Sequence, residues 1–391
     1  MQRFSPFKGA GAFVFALGAL AACTFCGARG SAQQKGTDSA TQQLIPSKVV
    51  EFKAVETDSN FTMPSTTIDY PHCLSGGALV LRSVDWDALK KAPKGTFPKY
   101  NEIVTIIRHK TATTLKSTNI SDLTDFNVTD IFPTDSGVYF LLQGTKEKPG
   151  ERGPGTSPAG IPWRAYRNFV ARFDLDGTYR GVTELGVKCD FSRPGQCELS
   201  HFAVFPSGDM LVTESDPATS TLKVLYLKSS GEILKQIDVP ASRRPLDWGD
   251  EYSNPEVRQA AKTYLSSVFL TAVGQNIIVW RANSNDAVVE IHDGGGVREV
   301  PLQIPDGYRM ADMVASNDRW VVHFRTENTP PTARMREDTD KYFDVRPQDG
   351  SLSAKIMQKG EIPLSIACEV NGKYMSFKMN EAGKMVQLEG N

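Results

Sequence analysis

The sequence carries almost no net charge, 44 basic residues standing against 45 acidic ones, so no overall field would gather nucleic acid or an anionic membrane surface. Nucleic acid is therefore set aside as a partner. Histidine is scarce, with five in 391 residues, and no HExxH, HxH, GxSxG or glycine-rich phosphate loop occurs. No set of residues declares a reaction or a ligand. Apolar runs are short as well. The longest, Gly9 to Ala22, falls short of the ~20 residues that a membrane-spanning helix needs.

What is present is a globular composition, 40% hydrophobic and 23% charged, with apolar material for an extended core. The N-terminus has the three parts of an export signal. Arg3 and Lys8 supply a basic start, Gly9 to Ala22 an apolar stretch, and Leu20-Ala21-Ala22-Cys23 resembles the bacterial lipobox. That resemblance implies a signal peptide over 1–22, removed so that Cys23 becomes an acylated N-terminus and the only membrane contact is through lipid. Ordinary secretion, with cleavage after Gly30-Ser31-Ala32, is the alternative. Either way the mature chain works outside the cytoplasm, in the periplasm or elsewhere in the cell envelope. Residues 23–47, rich in Ser, Gln, Gly and Thr, read as a flexible tether.

Export permits disulfides, and five cysteines remain beyond Cys23. Cys189 and Cys197 flank a turn-rich stretch, and a bridge there would close a small loop worth about 2 to 3 kcal/mol. Their spacing does not suit CxxC zinc ligation. Cys73 and Cys368 fall at equivalent places in the first and last repeats, which neighbour each other in a closed ring, and their pairing is left open because it depends on how closely innermost strands approach.

From residue 48 onward the chain repeats a pair of β-hairpins. The plainest copy runs from His201 to Asp238: Phe202, Val204 and Phe205 lead into Pro206-Ser207-Gly208-Asp209, and Met210 to Val212 lead out. A second hairpin follows around Ser229-Ser230-Gly231. Ile131 to Leu141 and Val170 to Gly177 make another copy, and the scheme can be followed through six. The last lacks one strand, which Val49-Val50-Glu51-Phe52 could supply, closing the ring and removing a sheet edge. The expected fold is thus all-β, a six-bladed β-propeller over 48–391 closed by an N-terminal strand. The turns Phe205-Pro206-Ser207-Gly208-Asp209 and Phe173-Asp174-Leu175-Asp176-Gly177 resemble those of the TolB-like and NHL-like propeller superfamily. That resemblance implies a ring but no activity, because such rings serve hydrolases, lyases and binding proteins alike.

Long insertions fall only between second and third strands and between blades, which places them on one face. A short helix is expected in one of them, from Asn254, a capping residue followed by Pro255, to about Leu265. These insertions hold Trp86, Trp163 and Trp248, three of five tryptophans, beside Arg164, Arg167 and Arg244. Trp and Arg are the residue types that dominate binding hot spots, although tryptophans can equally fold down over an apolar rim. The first reading is a binding protein that engages a peptide, glycan or envelope protein on this face. The second is a metal-dependent hydrolase or lyase at the mouth of the central channel, with Asp130, His201 and Asp312 as weak ligands for a divalent cation. Carboxylates in such positions more often bond neighbouring backbone. His109 and His292, in outer turns, are expected at the solvated surface.

Overall fold

The computed structural model describes residues 45–55, 72–84, 102–108, 111–146, 167–187, 199–216, 221–237, 268–281, 288–316, 319–329, 335–360, 366–379 and 385–391. Among them are twenty-four strands and one 3₁₀ turn, Ser117–Asn119. The chain is all-β with a propeller-like arrangement. Four sheets have four strands each, in chain order from one edge to the other. They are β2 to β5 (His72–Cys73, Leu79–Val84, Glu102–Arg108, Thr111–Lys116), β6 to β9 (Asp125–Thr134, Gly137–Thr145, Arg167–Phe173, Tyr179–Glu184), β10 to β13 (Leu199–Val204, Met210–Asp216, Thr221–Leu227, Ile233–Ile237) and β14 to β17 (Val268–Val273, Asn276–Arg281, Val288–His292, Val297–Val300). A fifth, eight-stranded sheet holds β18 to β21 (Tyr308–Ala315, Trp320–Thr326, Asp340–Val345, Leu352–Gly360), then β1 (Ser47–Ala54), then β24 to β22 (Met385–Gly390, Lys373–Met379, Ile366–Val370).

First strands of successive sheets lie against one another, β6 on β10, β10 on β14, β14 on β18, β18 on β22 and β22 on β2. The sheets therefore stand edge-inward around a common axis, each covered on both faces by its neighbours. This explains why second strands are apolar almost throughout instead of alternating. Val138 to Leu142 in β7 and Met210 to Thr213 in β11 are all buried. Away from the axis the covering thins, and four of the five residues of β13, Ile-Leu-Lys-Gln-Ile, are exposed.

Twist carries the outer strands round the circumference, so the end of one sheet's last strand meets the outer turn of the next. After β9, Gly186 donates its amide to Gly231 at 2.8 Å, and after β17, Gln303 donates to Gly350 at 2.9 Å. Both glycines have positive φ, and a Cβ on either would fall within about 2.1 Å of a carbonyl oxygen, Glu184 for Gly231 and Pro301 for Gly350. In the eight-stranded sheet no such turn stands in the way, because β24 and β1 come from opposite ends of the chain. There β21 runs on for nine residues and pairs in parallel with β1 from Ser47↔Lys355 to Phe52↔Gly360. On its other edge β1 pairs antiparallel with β24, Phe52↔Gly390 to Ala54↔Leu388. The sequence suggested the second contact but not the first. Val50 and Phe52 are buried in this clasp, at 0% and 1% exposure.

Cys73 on β2 and Cys368 on β22 form a disulfide with Cα atoms 5.9 Å apart. The pairing that the sequence left open is made because β2 and β22 are neighbouring first strands. The first and last sheets are thus joined covalently near the axis.

Candidate functional site

The undescribed segments 85–101, 147–166, 188–198, 238–267 and 330–334 lie in connections between strand ends on the side opposite the short hairpin turns. Trp86, Trp163, Arg164, Arg244 and Trp248 lie outside the described residues, as do Cys23, Cys189, Cys197, His109 and the stretch expected to form a helix. Arg167 is described. It opens β8, is exposed, and donates from Nη1 to Glu184 Oε1 on β9 at 2.8 Å.

Next to those segments, in the inner strands, polar and aromatic side chains cross from sheet to sheet. Arg82 on β3 pairs with Glu102 at 3.2 Å. Its other donors reach the carbonyls of Thr129 and Val128 at 3.5 and 3.4 Å, in the first strand of the next sheet. Those carbonyls are turned outward where β6 carries an irregularity between Val128 and Asp130, which also re-aims the aspartate. Asp130 accepts from its own neighbour, Ile131 N, at 2.9 Å and from Phe202 N on β10 at 3.1 Å. His201 Nδ1 lies 3.6 Å from the same carboxylate. The His201 ring rests against Phe269 at 5.1 Å, and Phe269 stacks on Trp280 at 4.7 Å. Trp280 donates to Thr271 Oγ1 at 3.2 Å.

Asp312 sits at a matching irregularity in β18, between Met310 and Asp312, and likewise accepts from the following amide, Met313 N, at 2.8 Å. Burial pushes its carboxyl up from the ordinary range, against the opposing pull of His323 and the Met313 amide. His323 belongs to a buried network that no sequence motif announced. Its Nε2 is 2.7 Å from Asp340 Oδ1, and Arg325 Nε donates to the same oxygen at 2.8 Å. Arg336 N and Thr339 Oγ1 each donate to Asp340 Oδ2 at 2.8 Å. Burial would raise Asp340, but the hydrogen bonds from His323, the Arg336 amide, Arg325 and Thr339 prevail and hold it well below the usual carboxylate range. His323 stacks on Tyr342 at 4.6 Å and is only 5% exposed, so this network ties β19 to β20 and to the turn before it, with Asp312 of β18 alongside.

The weak metal candidates therefore divide. Asp130 and His201 come together, while Asp312 is turned to His323 and buried. Among the described residues no group of three or more His, Cys, Asp or Glu is placed to hold a metal. His292 departs from expectation: it ends β16, is half-buried, and its Nδ1 is 2.8 Å from Asn276 Oδ1. The signal that could have found the Asp340 network is register, since Arg325 and Asp340 face each other across β19 and β20 while standing fifteen residues apart in sequence.

No known protein family matches the chain, and no curated protein does. Solved structures offer distant likenesses. Virginiamycin B lyase from Staphylococcus aureus is 12% identical over 86% of this chain and 87% of that one, with a TM-score of 0.37. The β-propeller domain of the trilobed protease from Pyrococcus furiosus is 10% identical over 80% and 79%, at 0.35. Porphyromonas gingivalis dipeptidyl peptidase 4 is 10% identical over 80% of this chain and 47% of that one, at 0.34. Scores this low carry no argument, so the architecture stands on the strand order and the packing of first strands.

Proposed function

We propose that the protein is an exported, lipid-anchored binding protein that engages a peptide, glycan or envelope protein on its insertion-rich face, held to the membrane only through Cys23. The observation that carries this reading is the placement of five long connections, between β3 and β4, β7 and β8, β9 and β10, β13 and β14, and β19 and β20, all of which join strand ends on one side of the sheets. Long segments displayed by a rigid scaffold are where recognition residues concentrate. Trp86, Trp163, Arg164, Arg167, Arg244 and Trp248 are the proposed contacts, by the chemistry of hot spots. The ring is read as six blades, the eight-stranded sheet being two of them, β18 to β21 and β22 to β24 with β1, fused through the parallel pairing of β1 with β21. The superfamily resemblance is kept at this level. Cys189 and Cys197 are proposed to pair within their own segment.

The reading of a hydrolase or lyase at the channel mouth rests on the Asp130 and His201 pair. Against it, Asp130 and His201 are the only two of the candidate ligands that come together among the described residues, far fewer than the six to eight oxygens that a cation such as calcium gathers. Alanine at the three tryptophans tests the preferred reading. The variants should stay folded and lose binding to envelope peptides, glycans or proteins that the unchanged protein retains, whereas unaltered binding refutes it. A stoichiometric divalent cation found by elemental analysis after gentle purification would favour the enzyme.

A further inference from the structure

On the hairpin-turn side, away from the proposed binding face, a cavity of about 350 Å³ opens at the seam between the first two sheets. One wall is made by two turns tied together: Ser75 gives its amide and its hydroxyl to the two oxygens of Asp135, at 2.9 and 2.6 Å. Leu74, Ala78 and Leu175 supply an apolar lining, the first two buried in the core that both sheets share. Arg108, the last residue of β4, also borders the cavity. It is exposed, and its guanidinium has no hydrogen bond or ion pair among the described residues. Gly76 sits at the rim of the Leu74 to Gly77 turn, which is closed by Gly77 N donating to Leu74 O at 2.9 Å. A Cβ on Gly76 would meet nothing within 4 Å, so the approach to the backbone there is open.

These features are of three kinds: a cation without a partner among the described residues, a carboxylate with lone pairs left after its two bonds to Ser75, and an apolar surface. The volume lies at the small end of ligand pockets. The geometry points to a site for a small zwitterion of α-amino-acid type, its carboxylate on Arg108, its ammonium at Asp135 and its apolar side chain over Leu74, Ala78 and Leu175. A simple anion fits less well, because Asp135 would repel it. A simple cation would leave Arg108 unanswered. The site is independent of the insertion face, and its success or failure leaves the reading of that face untouched.

The test is titration of the full chain with L-leucine, followed by calorimetry or ligand-observed NMR. Saturable binding is expected, with Kd on the order of 1 mM for exposed charge pairs. N-acetyl-L-leucinamide, which lacks both charges, should bind at least about tenfold more weakly. R108Q, at an exposed position that leaves the core intact, should weaken leucine by a similar factor while circular dichroism stays unchanged. The proposal is overturned if leucine fails to bind at about 20 mM, if R108Q binds it equally well, or if the uncharged derivative binds as tightly as leucine.

Discussion

Removing the Cys73–Cys368 disulfide should cost more than a surface cross-link usually does, because of what it spans. The two cysteines are 295 residues apart, and in the chain-entropy account closing a loop of that length removes about 5 to 6 kcal/mol from the unfolded state. Among the described residues the sheet β2 to β5 shares no strand pairing with the eight-stranded sheet, and β2 itself has only two residues, so beside the bond the seam is held by side-chain packing, Leu79, Leu81 and Ile107 against Ala367, Met375 and Phe377. With an unfolding entropy of about 2.1 cal/mol/K per residue over the folded unit, Ile45–Asn391, the loss corresponds to a fall in Tm of about 8 °C. Calorimetry on C73A/C368A measures it, and in dithiothreitol wild type and the double variant should melt together. Alanine is the better replacement, since Cys368 is 3% exposed and a polar substitute would add a desolvation cost. Any further response of the double variant to dithiothreitol would report on Cys189 and Cys197. If the double variant melts within about 1 °C of wild type, the seam is held by packing alone and the closure argument fails.

Other predictions follow from the inner strands and the clasp. D340N should destabilise by about 3 to 5 kcal/mol in chemical denaturation, because the buried Asp340 carboxylate accepts from His323, Arg325, the Arg336 amide and Thr339, and an asparagine loses the charge and one of the two accepting oxygens. Because the Asp340 carboxyl is held low in the folded state, its contribution is present above the ordinary aspartate pKa of about 3.9 and fades as pH falls below it. Wild type should therefore lose stability on acidification more steeply than D340N. D312N should behave in the opposite way: burial raises Asp312, so the ionised form is a cost at neutral pH that asparagine removes while still accepting from Met313 N. Its stability at pH 7 should equal or exceed wild type, by denaturant midpoint. F52A should cost about 3 to 5 kcal/mol as a buried aromatic truncation, and hydrogen exchange should then rise in β21 and β24 together, since both edges depend on β1.

Much of the architecture was legible because blade strands carry their burial in their composition. Runs such as Val138 to Leu142 between turn residues marked second strands, and Val49 to Phe52 stood out as a strand without a local partner. The parallel pairing of β1 with β21 was not legible, since it depends on the absence of an outer turn at one place on the circumference. The disulfide was left open for want of knowing how closely first strands approach. Asp130 and His201 were singled out because they flank inner-strand signals, and the structure brings the two side chains together. The Asp340 network escaped because its members are linked by cross-strand register and by a turn, Arg336 to Asp340, which no spacing rule describes. Asp312 looked like a partner for Asp130 from its position in the repeat, but β18 turns it toward His323.

The account's central claim is that the insertion face binds a partner outside the cytoplasm. It is tested most directly by comparing wild type with a variant carrying alanine at Trp86, Trp163, Arg164, Arg167, Arg244 and Trp248 against envelope proteins, peptides and a glycan array. The account predicts a partner retained by wild type and lost by the variant, with unchanged circular dichroism and melting. Equal retention of that partner by the folded variant would contradict it.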